Sequence, residues 1–122
     1  VDILDVKILK IGVEFEVLSD LNVNKYSVLE KAKSKVIKYI EKTSFDVGEP
    51  LYISEIIKAL KNTTGVIDVL NINLVNKTGA KYSDLFWDLN KNKSKDGRLL
   101  FIPEDTIIEF KYPTTDIKGN IK

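Results

Sequence analysis

A chain of 122 residues in which 43% are hydrophobic and 30% charged has the size and balance of one folded domain. It contains no cysteine and no histidine, which excludes disulfides, thiolate or imidazole metal sites, cysteine nucleophiles and Ser-His-Asp triads. Lys plus Arg total 19 against 18 for Asp plus Glu, and a net charge of +1 creates no global field toward nucleic acid or an anionic membrane.

In chain order, residues 6–18 are β-branched and aromatic, and Ile11, Val13, Phe15 and Val17 alternate with Gly12, Glu14 and Glu16, which predicts a strand. Val6 and Ile8 fall on the opposite parity, so a bulge near Leu9 and Lys10 is expected if both halves serve one core. A helix is predicted over 26–42, where Val28, Leu29, Ala32, Val36, Tyr39 and Ile40 recur at three- and four-residue spacing. Asn24 and Ser27 compete as its N-cap, and Ser27 with Glu30 fits a capping box.

Residues 45–50 form a corner, after which Ser54 is expected to open a shorter helix carrying Ile56, Ile57 and Leu60 inward, with Gly65 as its left-handed stop. The stretch 66–75 predicts a strand with Leu70, Ile72 and Leu74 inward against exposed Asn71 and Asn73, closed by a turn over 76–79. Residues 80–97 are expected to form a mobile loop, its polar run 91–97 too poor in apolar periodicity to pack. Two β-rich runs, 98–102 and 106–112, joined by Pro103-Glu104-Asp105, predict a hairpin, and 113–122 an extended tail. The expected fold is α+β, a small mixed β-sheet with two helices packed on one face in the order β-α-α-β-β-β, forming a single domain over 1–122. Met is absent and the chain begins Val1-Asp2-Ile3, so it is expected to be a piece of a longer chain. No run approaches the ~20 apolar residues of a membrane span.

Lys31, Lys35, Lys38 and Lys42 share one stripe of the long helix. A phosphate-binding surface would want arginines or aromatics beside it, yet Arg98 is the only arginine and Glu30 and Glu41 flank the stripe, so a solvated face is the first reading. Carboxylates such as Glu14/Glu16, Asp84/Asp88 and Glu104/Asp105 lack the spacing of a calcium loop or an acid–base pair, and no catalytic, cofactor-binding or metal-ligating residue is assigned. Leu85, Phe86 and Trp87 are three consecutive large apolar residues that cannot all enter one small core. They read either as a docking element or as a lid folded over the sheet.

Three signatures together resemble the C-terminal portion of phage baseplate wedge proteins of the Baseplate J-like family, close to the T-even-type myophage form. The first is Val17-Leu18-Ser19-Asp20 leading into the Lys-rich helix. The second is Phe45-Asp46-Val47-Gly48-Glu49-Pro50-Leu51-Tyr52-Ile53-Ser54-Glu55-Ile56 with Thr64-Gly65-Val66-Ile67-Asp68-Val69. The third joins Phe101-Ile102-Pro103-Glu104-Asp105, Ile108-Glu109-Phe110-Lys111-Tyr112-Pro113 and Asp116-Ile117-Lys118-Gly119. The resemblance covers about 13–119 and implies the C-terminal domain of a longer wedge chain, a structural protein of a contractile tail. It also implies location in the virion after assembly in the host cytoplasm. The implied partners are other copies of the wedge protein and other baseplate subunits, with no small-molecule substrate, no cofactor and no membrane. On this reading the protein is not an enzyme, and its contacts are expected at Leu85, Phe86, Trp87, Tyr112, Pro113 and Ile117. Pro113, lacking a ladder donor, is expected to end the last strand. The alternative is a nucleic-acid-binding α+β domain using Lys31, Lys35, Lys38 and Lys42; an enzyme fragment whose site lies in missing sequence is a third reading.

Overall fold

The axis of the molecule is β1 (Lys7–Ser19), whose odd-numbered residues from Leu9 to Val17 are all buried. The computed structural model describes residues 7–43, 45–77, 87–89 and 91–122. The remaining elements are α1 (Lys25–Lys42), β2 (Leu51–Tyr52), α2 (Ile53–Lys61), β3 (Val66–Asn76), β4 (Leu99–Leu100), β5 (Thr106–Glu109), α3 (Pro113–Asp116) and β6 (Ile117–Ile121). The fold is α+β, as expected. A four-stranded mixed sheet has β3 antiparallel on one side of β1 and β5 and β6 parallel on the other. The helices cover one face, α1 against β6 and α2 against β3, and touch each other. A second sheet pairs β2 with β4.

The bulge expected near Leu9 and Lys10 is absent. Ile8 points outward and Leu9 inward, so β1 keeps one parity and needs no bend. The irregularities lie in β3 instead. Glu16 and Val17 pair with Asn71 and Val69, and Leu18 and Ser19 with Asp68 and Val66, leaving Leu70 and Ile67 as extra residues. Each extra residue reverses the parity of what precedes it, so Val66 and Val69 pack against the core while Leu70 stays 43% exposed. The expectation of an inward Leu70 fails for this reason.

Asn24 caps α1, its side-chain oxygen accepting from the backbone N–H groups of Tyr26 (3.0 Å) and Ser27 (3.2 Å). Ser27 lies inside the helix, so the capping box does not form. α1 buries Val28, Ala32, Val36 and Ile40, and full burial of such aliphatic side chains stabilises by roughly 1.5–3 kcal/mol each. α2 begins at Ile53, with Tyr52 at the cap position and no side-chain cap; Ser54 is within the helix, its N–H donating to the Arg98 carbonyl. Glu55 in its first turn and Lys58 and Lys61 in its last match the helix dipole. Gly65 has φ +95°, the conformation expected of it, and a Cβ there would lie 2.6 Å from Val28.

The expected hairpin of 98–102 with 106–112 does not form. β4 pairs with β2, while β5 joins β1 in parallel. A different tight turn occupies the polar run: Phe101 donates to the Asn92 carbonyl, Ser94 to the Leu99 carbonyl, and Gly97 takes φ +73° at its tip. The mobile loop expected over 80–97 falls on 80–86 and 90, outside the described residues, and on this hydrogen-bonded turn. Nor is 113–122 an extended tail. Pro113 occupies the first turn of α3, where its missing N–H costs nothing, and the chain then re-enters the sheet as β6. The chain order therefore contains β2, α3 and β6 beyond the six elements expected.

β5 pairs with residues 7–10 of β1 and β6 with residues 13–17, so the two act as halves of one strand position with residues 110–116 looping out between them. Gly12 lies beneath this excursion. A Cβ on Gly12 would come within 2.6 Å of the Asp116 backbone carbonyl, so the crossing requires glycine. The buried Asp116 carboxylate accepts from the Tyr112 N–H at 3.2 Å and closes the excursion.

Candidate interaction surfaces

The sequence-predicted contact residues separate in the fold. Leu85 and Phe86 lie outside the described residues. Trp87 is partly buried and packs against the core. Its indole N–H donates to the Phe101 carbonyl at 2.8 Å. Its backbone is gripped by Asn76, whose side-chain amide donates to the Trp87 carbonyl (2.8 Å) and accepts from the Trp87 N–H (3.2 Å). Asn76 thus imitates a strand partner and ties the end of β3 to the segment leading toward β4. Much of the Trp87 ring is already engaged within the chain.

Tyr112 is exposed on one side and its ring lies 5.4 Å from the Lys111 ammonium. Pro113 is half-buried in α3. Ile117 is a correction: it is 0% exposed, paired with Val13 at the start of β6, and has no surface to offer a partner in this fold.

Sequence pattern did not single out the most exposed apolar side chains. Leu21 is 92%, Tyr26 80% and Ile67 61% exposed. Backbone pairing brings them to one end of the sheet, since Ser19 pairs with Val66 and the Asp20 N–H donates to the Gly65 carbonyl at 2.9 Å. The available signals were apolar residues inside a polar turn, a tyrosine off the buried stripe of α1, and the extra residue of a bulge that alternation cannot anticipate. A groove of about 560 Å³ lies between α1 and residues 63–64, its lining including Glu30, Lys31, Lys35, Lys38, Thr63 and Thr64.

The lysine stripe therefore has two parts. Lys35 reaches the C-terminal end of α2, its ammonium donating to the Asn62 carbonyl at 3.3 Å, where the helix dipole favours a cation. Lys31, Lys38 and Lys42 are exposed, and none takes part in an ion pair among the described residues. A second charged region lies where the 45–50 corner meets the segment before β5. Gly48, at φ +76°, donates to the Thr106 carbonyl at 2.7 Å, and Glu104 backbone atoms lie 3.1–3.5 Å from where a Gly48 Cβ would stand. This contact gathers Asp46, Glu49, Glu104 and Asp105. Asp105 is ion-paired with Lys7 at 3.6 Å, and the other three take part in no ion pair among the described residues.

Among the described residues, two titrations depart from ordinary values. Burial pushes the Tyr39 phenol up, opposed by its hydrogen bond with Thr43. The Ser94 hydroxyl, donating at 2.7 Å, and then the Arg98 N–H hold the Asp96 carboxyl below the usual carboxylate range. Both groups belong to local hydrogen-bonded structure. Among the described residues, no group of three or more acidic side chains could hold a metal ion. Among the described residues, no helix is long and apolar enough to cross a membrane. No protein-family model matches the chain, and no curated protein matches it.

Proposed function

We propose that this chain is a non-catalytic assembly module of a contractile phage tail baseplate, a wedge domain whose work is protein–protein contact with further copies and other baseplate subunits. The observation that carries the reading is the large apolar side chains left in solvent at the β1–α1 turn and the start of β3, Leu21, Tyr26 and Ile67 above all. Exposed apolar surface concentrated at one end of a small domain is costly in water and is relieved by a partner. The wedge signatures support the same reading. Gly48 and Gly65, from the middle signature, both adopt positive φ, and Phe110, Asp116 and Ile117, from the closing one, are buried. Those residues build the fold, which leaves function to the surface.

The test is gold labelling of contractile tails from the source lysate with an antibody against this chain. Label at the baseplate is expected. Tails that carry no label, with the chain recovered only in the soluble host fraction, would contradict the proposal.

A further inference from the structure

The two edges of the main sheet are built differently. On one side the edge is divided between β5 and β6, four and five residues long, which carry Glu109 and Lys118 and are broken by the 110–116 excursion. Short, charged, interrupted edges resist the addition of a further strand. On the other side β3 runs for 11 residues and pairs with β1 alone among the described residues. Both ends of that edge are engaged locally. The Asp68 carboxylate accepts from the Val69 N–H at 2.8 Å, and the Asn76 side chain holds the Trp87 backbone. Between them, Leu70-Asn71-Ile72-Asn73-Leu74-Val75 contains no charge and no proline. The Lys77 N–H donates toward β1, to the Lys10 carbonyl, so alternation turns the N–H and C=O groups of Ile72 and Leu74 to the open side. Left bare, such a stretch is an aggregation hazard, which a partner strand removes.

A groove of about 370 Å³ runs beside this edge, walled by Ile57 and Lys61 of α2 and by Val69, Leu70, Asn71 and Ile72 of β3. Leu70, put outward by the bulge, is 43% exposed there, and Lys61 is exposed and takes part in no ion pair among the described residues. We propose that this edge receives an extended segment of a different protein as a further strand along 70–75, apolar at alternate positions and carrying an acidic side chain opposite Lys61. The backbone selects the kind of occupant, because a row of outward donors and acceptors at strand spacing is satisfied by extended main chain and not by a helix. Alternate side chains of the added strand fall on the helix side, against Ile57 and Leu70, and those between them lie on the open face of the sheet beside Asn73. Charge complementarity selects the source. The same stretch of a second copy carries no acidic residue to meet Lys61, so the strand comes from another chain.

The test titrates the 122-residue chain, followed by NMR, with two capped synthetic peptides, Val-Thr-Ile-Thr-Glu-Thr and Glu-Thr-Ile-Thr-Val-Thr, which place the carboxylate at either end of the strand. One of them should bind, shift the amide resonances of Ile72 and Leu74 and slow their hydrogen exchange. N-methylation of that peptide at alternate residues should lower its affinity about tenfold or more in one frame and leave it nearly unchanged in the other, because only one set of amides faces β3. Lys61→Glu should weaken binding severalfold, and a peptide with Lys in place of Glu should recover it. If that variant does not fold, the two N-methylation frames decide alone. Three outcomes overturn the proposal: neither peptide binds, both frames behave alike, or folded Lys61→Glu binds as the native chain does. A native chain that sediments as a dimer lost in Leu70→Lys also overturns it, giving the edge to a second copy. The assay contains no tail, so gold label at the baseplate without peptide binding strikes the added strand alone, and peptide binding with unlabelled tails strikes the assembly reading alone.

Discussion

Along one side of β1, β3 runs antiparallel from Val66 to Asn76 as a single strand; along the other, β5 and β6 share the length between them. The antiparallel side absorbs two extra residues as bulges at Ile67 and Leu70, which push apolar side chains outward while the ladder continues. The parallel side absorbs a seven-residue excursion, 110–116, by leaving the sheet and returning. An antiparallel neighbour can thus expose apolar surface without losing its register. A parallel neighbour in two pieces needs a specific accommodation, which Gly12 and the Asp116 turn provide.

The largest expected effect breaks the parallel side. Ile117→Ala removes a fully buried side chain that pairs with Val13 and should cost ~2–5 kcal/mol by denaturant unfolding, whereas Leu70→Ala on the bulged side should cost under ~1 kcal/mol. Equal losses would mean that the two sides are not packed as described. Gly12→Ala should follow, at ~1–3 kcal/mol, because its Cβ collides with a backbone carbonyl that cannot swing aside as a side chain can. A neutral outcome would show that the excursion does not cross there.

Asn24→Ala should lower stability by ~1 kcal/mol and Ser27→Ala by only a few tenths, since Asn24 alone accepts the cap hydrogen bonds. Reversed magnitudes would restore the capping box. Trp87→Phe should cost about 1 kcal/mol by releasing the Phe101 carbonyl while the ring continues to pack. A change in assembly without a change in stability would return Trp87 to the docking role. The smallest effect is in the 94–97 turn. Ser94→Ala should raise the Asp96 pKa toward its ordinary value, read by NMR titration. A carboxyl held low in the folded state adds stability that is present above its unfolded pKa and fades as pH falls through the folded value, so the variant should lose part of that acid-side dependence. An unchanged titration would remove the hydroxyl as its cause.

The long helix, its buried stripe and the central strand were legible because each rests on local periodicity, and Gly65 was legible because a positive φ favours one residue type. The placement of 106–121 was not. The run 106–112 read as β-prone and 113–122 as an extended tail, but which strand each segment meets, and in which direction, depends on contacts more than ninety residues away along the chain. Pro113 looked like a strand terminator and is the start of a turn after which the strand position resumes. The candidate surfaces were partly legible. The lysines fell on one stripe by spacing alone, whereas their groove needed Thr63 and Thr64 from another element. The acidic corner joins two segments more than fifty residues apart, and no local pattern in either announces the other.

The central claim is that the working parts of this chain are its outward-facing surfaces. Amide hydrogen exchange measured on the free chain and on the same chain within purified tails tests it most directly. The account predicts new protection in the tail-bound form at the β1–α1 turn, the first turn of α1 and the outer edge of β3, with the buried strand β1 unchanged. Tails in which those segments exchange as fast as in the free chain would contradict it.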